Sequence, residues 1–265
     1  MSKTTIKKKH LANFLLKAGK KIVSLSSIFI MLFIVQAKAQ TADDIINKYL
    51  TAIGGKENVQ KIQSIKQTGK LDQGGTEIPG IMYQKRPDMM RTEFTFQGKT
   101  GLQVFNGTDG WDYNPFQGRD VVEKMNADEL KDVKFQADID GPLVDYAKKG
   151  YKVDYIGDED FNGTQSYKLK LTSKEGDEYS YFIDKESNLL LGLKQKVKTK
   201  DGSETESETN LSDYKEVNGV LMPFTIENKA NYQGQSFSSF IKIDSIKANS
   251  ALEDSFFQEP KIVSK

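Results

Sequence analysis

The sequence predicts a mainly β protein of the α+β class: a curved antiparallel sheet of about 10–12 strands curling into a partial or closed barrel, lidded by short helices. Three observations predict it. About a dozen runs alternate apolar and polar residues, clusters of turn-forming residues separate them, and helical spacing is confined to one stretch near residue 45 and one between residues 126 and 149. Connections this short leave almost no room for crossover helices, so neighbouring strands are antiparallel and parallel α/β folds are disfavoured.

In chain order, Ile45, Ile46, Tyr49, Leu50 and Ile53 fall at helical intervals behind Asp43 and Asp44 and stop at Gly54-Gly55, which predicts a helix of about three turns. From Ile62 the period becomes two. Strands are expected over 62–71, 76–85, 89–96, 101–106 and 110–114, punctuated by Gly74-Gly75, Arg86-Pro87-Asp88, Gln97-Gly98 and Asn106-Gly107. The acid-rich stretch 126–149 groups Leu130, Val133 and Phe135, then Leu143, Val144, Tyr146 and Ala147, as two short helices around Gly141-Pro142. Strands resume over 151–156, 166–171, 178–184, 189–199, 203–214, 220–229 and 236–246. Asn-Gly recurs at 106, 162 and 218, and three hairpin turns explain it better than an internal repeat.

Residues 1–39 carry eight lysines and no acid, an apolar run of 14 residues from Ile22 to Val35, and Ala37-Lys38-Ala39. That order is expected of a secretory signal peptide cleaved after Ala39, leaving 40–265 as a single domain in the periplasm. The run is shorter than the roughly 20 residues a stable membrane span needs, which weighs against a retained anchor. Eight of the 38 basic residues leave with the leader, so the remainder holds 30 against 37 acidic ones, a net charge of −7. An acidic surface repels phosphate backbones and anionic membranes, so no nucleic-acid partner is expected.

The sequence contains Cys 0 and His 1, and that histidine is His10 in the leader. Triad and thiol catalysis, the usual zinc sites and haem attachment through cysteine therefore lack their side chains. Carboxylate, lysine or tyrosine chemistry remains open. Asp158-Glu-Asp160-Phe-Asn162-Gly163 matches half of a calcium loop, but Leu169 stands where its bidentate acid belongs, so an acidic hairpin tip is expected. Glu204, Glu206 and Glu208 share one strand face, and a solvated surface suits them better than a metal site. Ser239 and Lys242 have the spacing of a catalytic dyad but point to opposite sides of a strand. No catalytic residue, metal or cofactor is expected.

The apolar alternation carries the functional signal. Met90, Phe94 and Phe96 share one strand face, and Leu102 with Val104 or Phe105, then Trp111 and Tyr113, are expected to continue it; Tyr167 to Leu171, Tyr179 to Ile183, Leu189 to Leu193 and Phe237 to Ile243 do likewise. A wide sheet with one apolar face must cover it, and only short helices are available. The interior is then either filled by side chains or hollow enough for an apolar guest. Ten buried methylenes of an acyl chain would contribute about 8 kcal/mol before ordering costs.

Tyr49 to Gly55, Ile62 to Ile65 entering Gly69, Pro87 and Arg91, Asn106 to Trp111, Asp213 to Pro223 and Phe256 to Pro260 together resemble the LolA-like outer-membrane lipoprotein-sorting proteins across nearly all of residues 40–265. The resemblance implies a helix-lidded incomplete barrel that carries lipid or the acyl chains of lipidated proteins, with release and acceptor proteins at the inner and outer membranes as partners. On this reading the chain is a monomeric, non-enzymatic carrier. Its apolar cavity and lid are expected at Ile46, Tyr49, Leu50, Met90, Phe94, Phe96, Leu102, Trp111, Leu143, Tyr146 and Tyr181, with Arg91 a further candidate by position. Two alternatives stay open: an envelope interaction module with a filled β core, and a carboxylate-based glycan hydrolase.

Overall fold

A computed structural model describes residues 40–117, 120–198, 204–232 and 235–262; the leader expected over 1–39 lies outside the described residues. Helix α1 (Ala42–Ala52) opens on a capping box in which the Thr41 hydroxyl accepts from the Asp44 amide and the Asp44 carboxylate accepts from the Thr41 amide. It ends at Gly54, whose φ of +110° suits glycine and where a Cβ would stand 2.0 Å from the Gly219 carbonyl. A short helix α2 (Lys56–Lys61) follows.

The first run of strands is β1 (Ser64–Gln73), β2 (Thr76–Lys85), β3 (Met89–Phe96), β4 (Lys99–Phe105), β5 (Gly110–Tyr113) and β6 (Val122–Lys124). Helix α3 (Ala127–Ala137) comes next, capped by Asn126 and Glu129. The second run is β7 (Lys152–Phe161), β8 (Thr164–Thr172), β9 (Glu178–Asp184), β10 (Leu190–Lys198), β11 (Glu204–Val217), β12 (Val220–Tyr232) and β13 (Gln235–Ala248). All thirteen lie in one sheet, ordered β6-β5-β4-β3-β2-β1-β13-β12-β11-β10-β9-β8-β7, every neighbour antiparallel. The ends do not pair, so the barrel is incomplete, as expected. The free edge of β7 carries Asp154, Asp158, Glu159 and Asp160, and a bulge between Tyr155 and Gly157 interrupts its register.

Two-residue turns with both central residues at positive φ set four hairpins: Gly74-Gly75, Gln97-Gly98, Asn162-Gly163 and Asn218-Gly219. The third Asn-Gly pair opens a four-residue loop instead, because the Asn106 side-chain oxygen accepts from the amides of Thr108 and Asp109. The second helix expected around Leu143 is a succession of turns, broken by left-handed Gly141, Asp145 and Gly150.

Directly opposed residues share a face, so the strand registers trace one surface across the sheet. On one wing Met90 and Phe105 pack under Val133 and Ala137 of α3. On the other, Leu169, Leu171, Tyr181 and Ile183 pack with Ile45, Ile46 and Leu50 of α1 and with Leu143 and Val144. Phe135 of α3 also stacks on Tyr179 of β9, ring centroids 5.1 Å apart. Strands β4 and β9 are eight intervals apart, about 38 Å along a flat sheet, so only a strongly curled one lets a single helix touch both. The helix-bearing face is therefore concave.

The register corrects one expectation. Leu102 lies opposite Glu93, and Trp111 opposite Val104, which itself opposes Arg91. These residues belong to the convex face, away from Met90, Phe94 and Phe96. The Gln97-Gly98 turn causes it: pairing Phe96 with Lys99 brings Gly101, Gln103 and Phe105 to the concave side. A 3₁₀ turn, Asp254–Phe257, covers part of the convex face, with Phe256 edge-on to Tyr83 at 4.9 Å and under the Arg91 guanidinium at 4.6 Å.

Candidate functional site: the concave face

The concave face offers two surfaces that helices do not fill. The first is a row of directly opposed apolar side chains, Ile78, Leu71, Ile241, Ile226 and Leu211, on five adjacent strands; Ile241 and Ile226 also pack against buried Val217, Phe224 and Ile243, and Leu211 against the cluster around α1. All five are half-buried. The row spans about 19 Å at the usual strand spacing. Phe94 extends it onto β3, its ring lying over Gly80, where a Cβ would come within 3.0 Å of it. Phe96 follows on the same face and meets the exposed Phe116 edge-on.

The second is a cleft of about 820 Å³ between α3, the loop before β5 and the turn joining β8 to β9. Phe105, Leu130, Phe135, Tyr151 and Tyr179 form its apolar wall, and lysines, carboxylates and the small residues Gly107, Thr108, Ala127 and Ser173 form the rest. Lys131 pairs with Asp177, and Lys149 pairs with Asp138 at 2.5 Å and also donates to the Gly141 carbonyl at 2.8 Å. The hydrogen bond from Lys131 holds the Asp177 carboxyl below the usual carboxylate range.

A buried group of phenols backs the cleft. Burial pushes Tyr49 up to about 12, and burial followed by the nearby Asp177 charge pushes Tyr179 to about 12. Tyr181 is raised well above its ordinary value, first by burial and then by Tyr179. Its hydroxyl is fully enclosed and has no hydrogen-bond partner.

The expected site residues divide into four groups. Ile46, Leu50, Leu143 and Tyr181 are buried in the cluster around α1, with Tyr49 and Tyr146 packed against it. The Tyr146 hydroxyl donates to Asp43 at 2.8 Å, tying the turn segment to α1. Met90 is buried beneath α3, while Phe94 and Phe96 lie on the half-buried part of the concave face. Leu102 and Trp111 are on the convex side, as is Arg91, which pairs with Glu93 at 2.7 Å. None of the eleven lines the cleft. Leu71, Ile78 and Ile226 were not expected in a site, because only their cross-strand pairing singles them out.

The acidic motifs find ordinary partners. Asp158 accepts from Tyr155 and Lys185, and Asp160 accepts from the Gly163 amide of its own turn. Glu206 and Glu208 face Lys194, and Glu208 also faces Lys229.

This architecture is the LolA-like fold: an open, curled antiparallel sheet with helices on its concave side. A family model described as "-like: Uncharacterized protein" matches residues 97–263, and the chain belongs to that family. Three crystal structures share the fold. A DUF1329 family protein from Desulfovibrio piger is 16% identical with a TM-score of 0.58, over 83% of this chain and 98% of that one. A LolA superfamily protein from Nitrosomonas europaea is 12% identical with a TM-score of 0.56, over 83% and 99%. A domain from Vibrio parahaemolyticus named for outer membrane lipoprotein sorting is 13% identical with a TM-score of 0.50, over 80% and 97%. No curated protein matches the sequence.

Proposed function

We propose that this chain is a periplasmic, non-enzymatic carrier that holds lipid, or the acyl chains of a lipidated protein, against its concave face. One observation carries the reading: five adjacent strands place a branched apolar side chain directly opposite the next, and this row stays half-buried. A core contact would bury such side chains, whereas a track for hydrocarbon needs them within reach. Laying ten methylenes along it stabilises the complex by about 8 kcal/mol before ordering costs, enough without a charged anchor.

No described helix is long and apolar enough to cross a membrane, which suits a carrier that shuttles between two of them. On this reading the leader is removed after Ala39, and the partners are proteins that load cargo at one membrane and accept it at the other. Native mass spectrometry of protein purified from membranes, together with titration of a fluorescent fatty acid, tests the proposal. Co-purifying lipid and saturable probe binding are expected; absence of both overturns it. The packed cluster beneath α1 favours the second reading, a filled interaction module, which predicts that absence.

A further inference from the structure

Phe116 closes one end of the apolar row. Because Gly80 opposes Phe94 in an antiparallel pair, Phe96 stands level with Ile78 and carries the row one strand further, onto β3. On β4 the residue opposite Phe94 is Gly101, which has no side chain to continue the surface. The ring of Phe116 fills that position: a Cβ on Gly101 would lie 2.8 Å from it, and its centroid is 6.3 Å from that of Phe96. The 3₁₀ turn Pro115–Gln117 carries the ring. The Lys99 ammonium of β4 donates to its Pro115 carbonyl at 3.5 Å, and the Asn114 side-chain oxygen accepts from the Phe116 amide at 3.3 Å. At the far end Leu211 packs against the buried cluster around α1. The row from β11 to β3 is therefore bounded at both ends, across five strand intervals or about 24 Å.

We infer that Phe116 sets the length of hydrocarbon that the row accepts, making the preferred ligand a single long acyl chain of about 18 carbons. The inference rests on the carrier reading and specifies the ligand of the same surface. An extended chain advances about 1.25 Å per carbon at ordinary C–C lengths and angles, so about 24 Å holds no more than about 19 carbons. Carbons beyond the stop turn off the apolar surface into water and add nothing to affinity. Within the row each added methylene tightens binding about two- to fourfold, the upper figure belonging to complete burial. Replacing the ring by a methyl group uncovers Gly101 and lengthens the row by one strand spacing, about 4.8 Å or about four carbons. Phe116 is 42% exposed and belongs to none of the buried clusters, so its removal leaves the core intact.

Displacement of a fluorescent fatty acid by saturated fatty acids of about 12 to about 24 carbons, measured on wild type and on Phe116→Ala, tests the inference. Ligand solubility cancels in the ratio of the two affinities at each length. That ratio is expected to stay near one up to about 16 carbons and to reach at least about tenfold in favour of the variant at about 22. A ratio independent of length overturns the inference, whether it stays at one or shows the uniform loss of a merely structural residue. Wild-type affinity that goes on rising beyond about 20 carbons does so as well. Failure of the wild-type protein to bind the fluorescent fatty acid at all overturns the carrier reading, a separate result.

Discussion

Arg86 and Asp140 meet in a two-pronged ion pair, with guanidinium nitrogens 2.9 and 2.5 Å from the two carboxylate oxygens. The same guanidinium donates to the carbonyls of Ile62 and Val59, so one side chain joins the end of α2, the end of β2 and the segment after α3. Removing it leaves a largely buried carboxylate and two carbonyls without their donor. Arg86→Ala should lower unfolding free energy by about 2–4 kcal/mol in urea denaturation. Arg86→Lys should restore little, because an ammonium cannot reproduce the planar fork.

The row across the concave face separates ligand binding from folding. Leu71→Glu or Ile78→Glu places a charge on a half-buried surface outside the packed clusters, so each should remain folded by circular dichroism while losing at least about tenfold in affinity for a fluorescent fatty acid. Leu169→Glu, fully buried in the α1 cluster, should unfold the protein instead. Loss of folding in all three variants would identify the row as core.

Trp111 is the one tryptophan in the sequence and lies on the convex face. Its emission should therefore stay constant when acyl ligand binds, and Trp111→Phe should leave affinity within about twofold of wild type, a difference of about 0.4 kcal/mol. A ligand-induced emission shift would place hydrocarbon on the wrong side of the sheet.

Two opposite pH effects follow from the shifted groups. Hydrogen bonds from Lys131 to Asp177 and from Lys56 to Asp145 lower those carboxyls below the unfolded value of about 3.9. Their stabilisation is complete above that value and is lost as pH falls through the lower folded ones, so urea midpoints should drop below about pH 4. Buried Tyr49 and Tyr179 are raised from about 10 to about 12, so their contribution is complete below 10 and lost between 10 and 12. Tyrosinate absorbance should show late-titrating phenols that ionise together with unfolding.

Gly54→Ala should destabilise by about 2–4 kcal/mol, since a methyl group would strike the Gly219 carbonyl at a φ of +110°. Gly55→Ala, with positive φ but open space around it, should cost about 1 kcal/mol, and thermal denaturation distinguishes the two.

Local pattern made most strands and α1 legible, because alternation, Asn-Gly turns and the capping acids act within a few residues. It failed where the decision is non-local. Strand β4 is apolar on both sides, with Leu102 and Val104 on one and Phe105 on the other, and only the turn at Gln97-Gly98 decides which faces inward. The short edge strand β6 has too few residues to show a period. The same holds for the candidate site: Met90, Phe94 and Phe96 were readable along one strand. The row through Leu71, Ile241 and Ile226 exists only across strands far apart in the chain, and the cleft needs β4 and β9 brought together by curvature.

The bulged, carboxylate-bearing margin of β7 has a consequence for behaviour at high concentration. An unclosed sheet of this width offers a ready template for another molecule's backbone, yet this rim is kinked and lined by the charged pairs Lys152–Asp154, Lys168–Glu159 and Lys185–Asp158, so a second backbone cannot zip on without burying them. Acidification, or replacing Asp154, Asp158 and Asp160 by neutral residues, strips that guard and leaves the molecule open to edgewise stacking into fibrils.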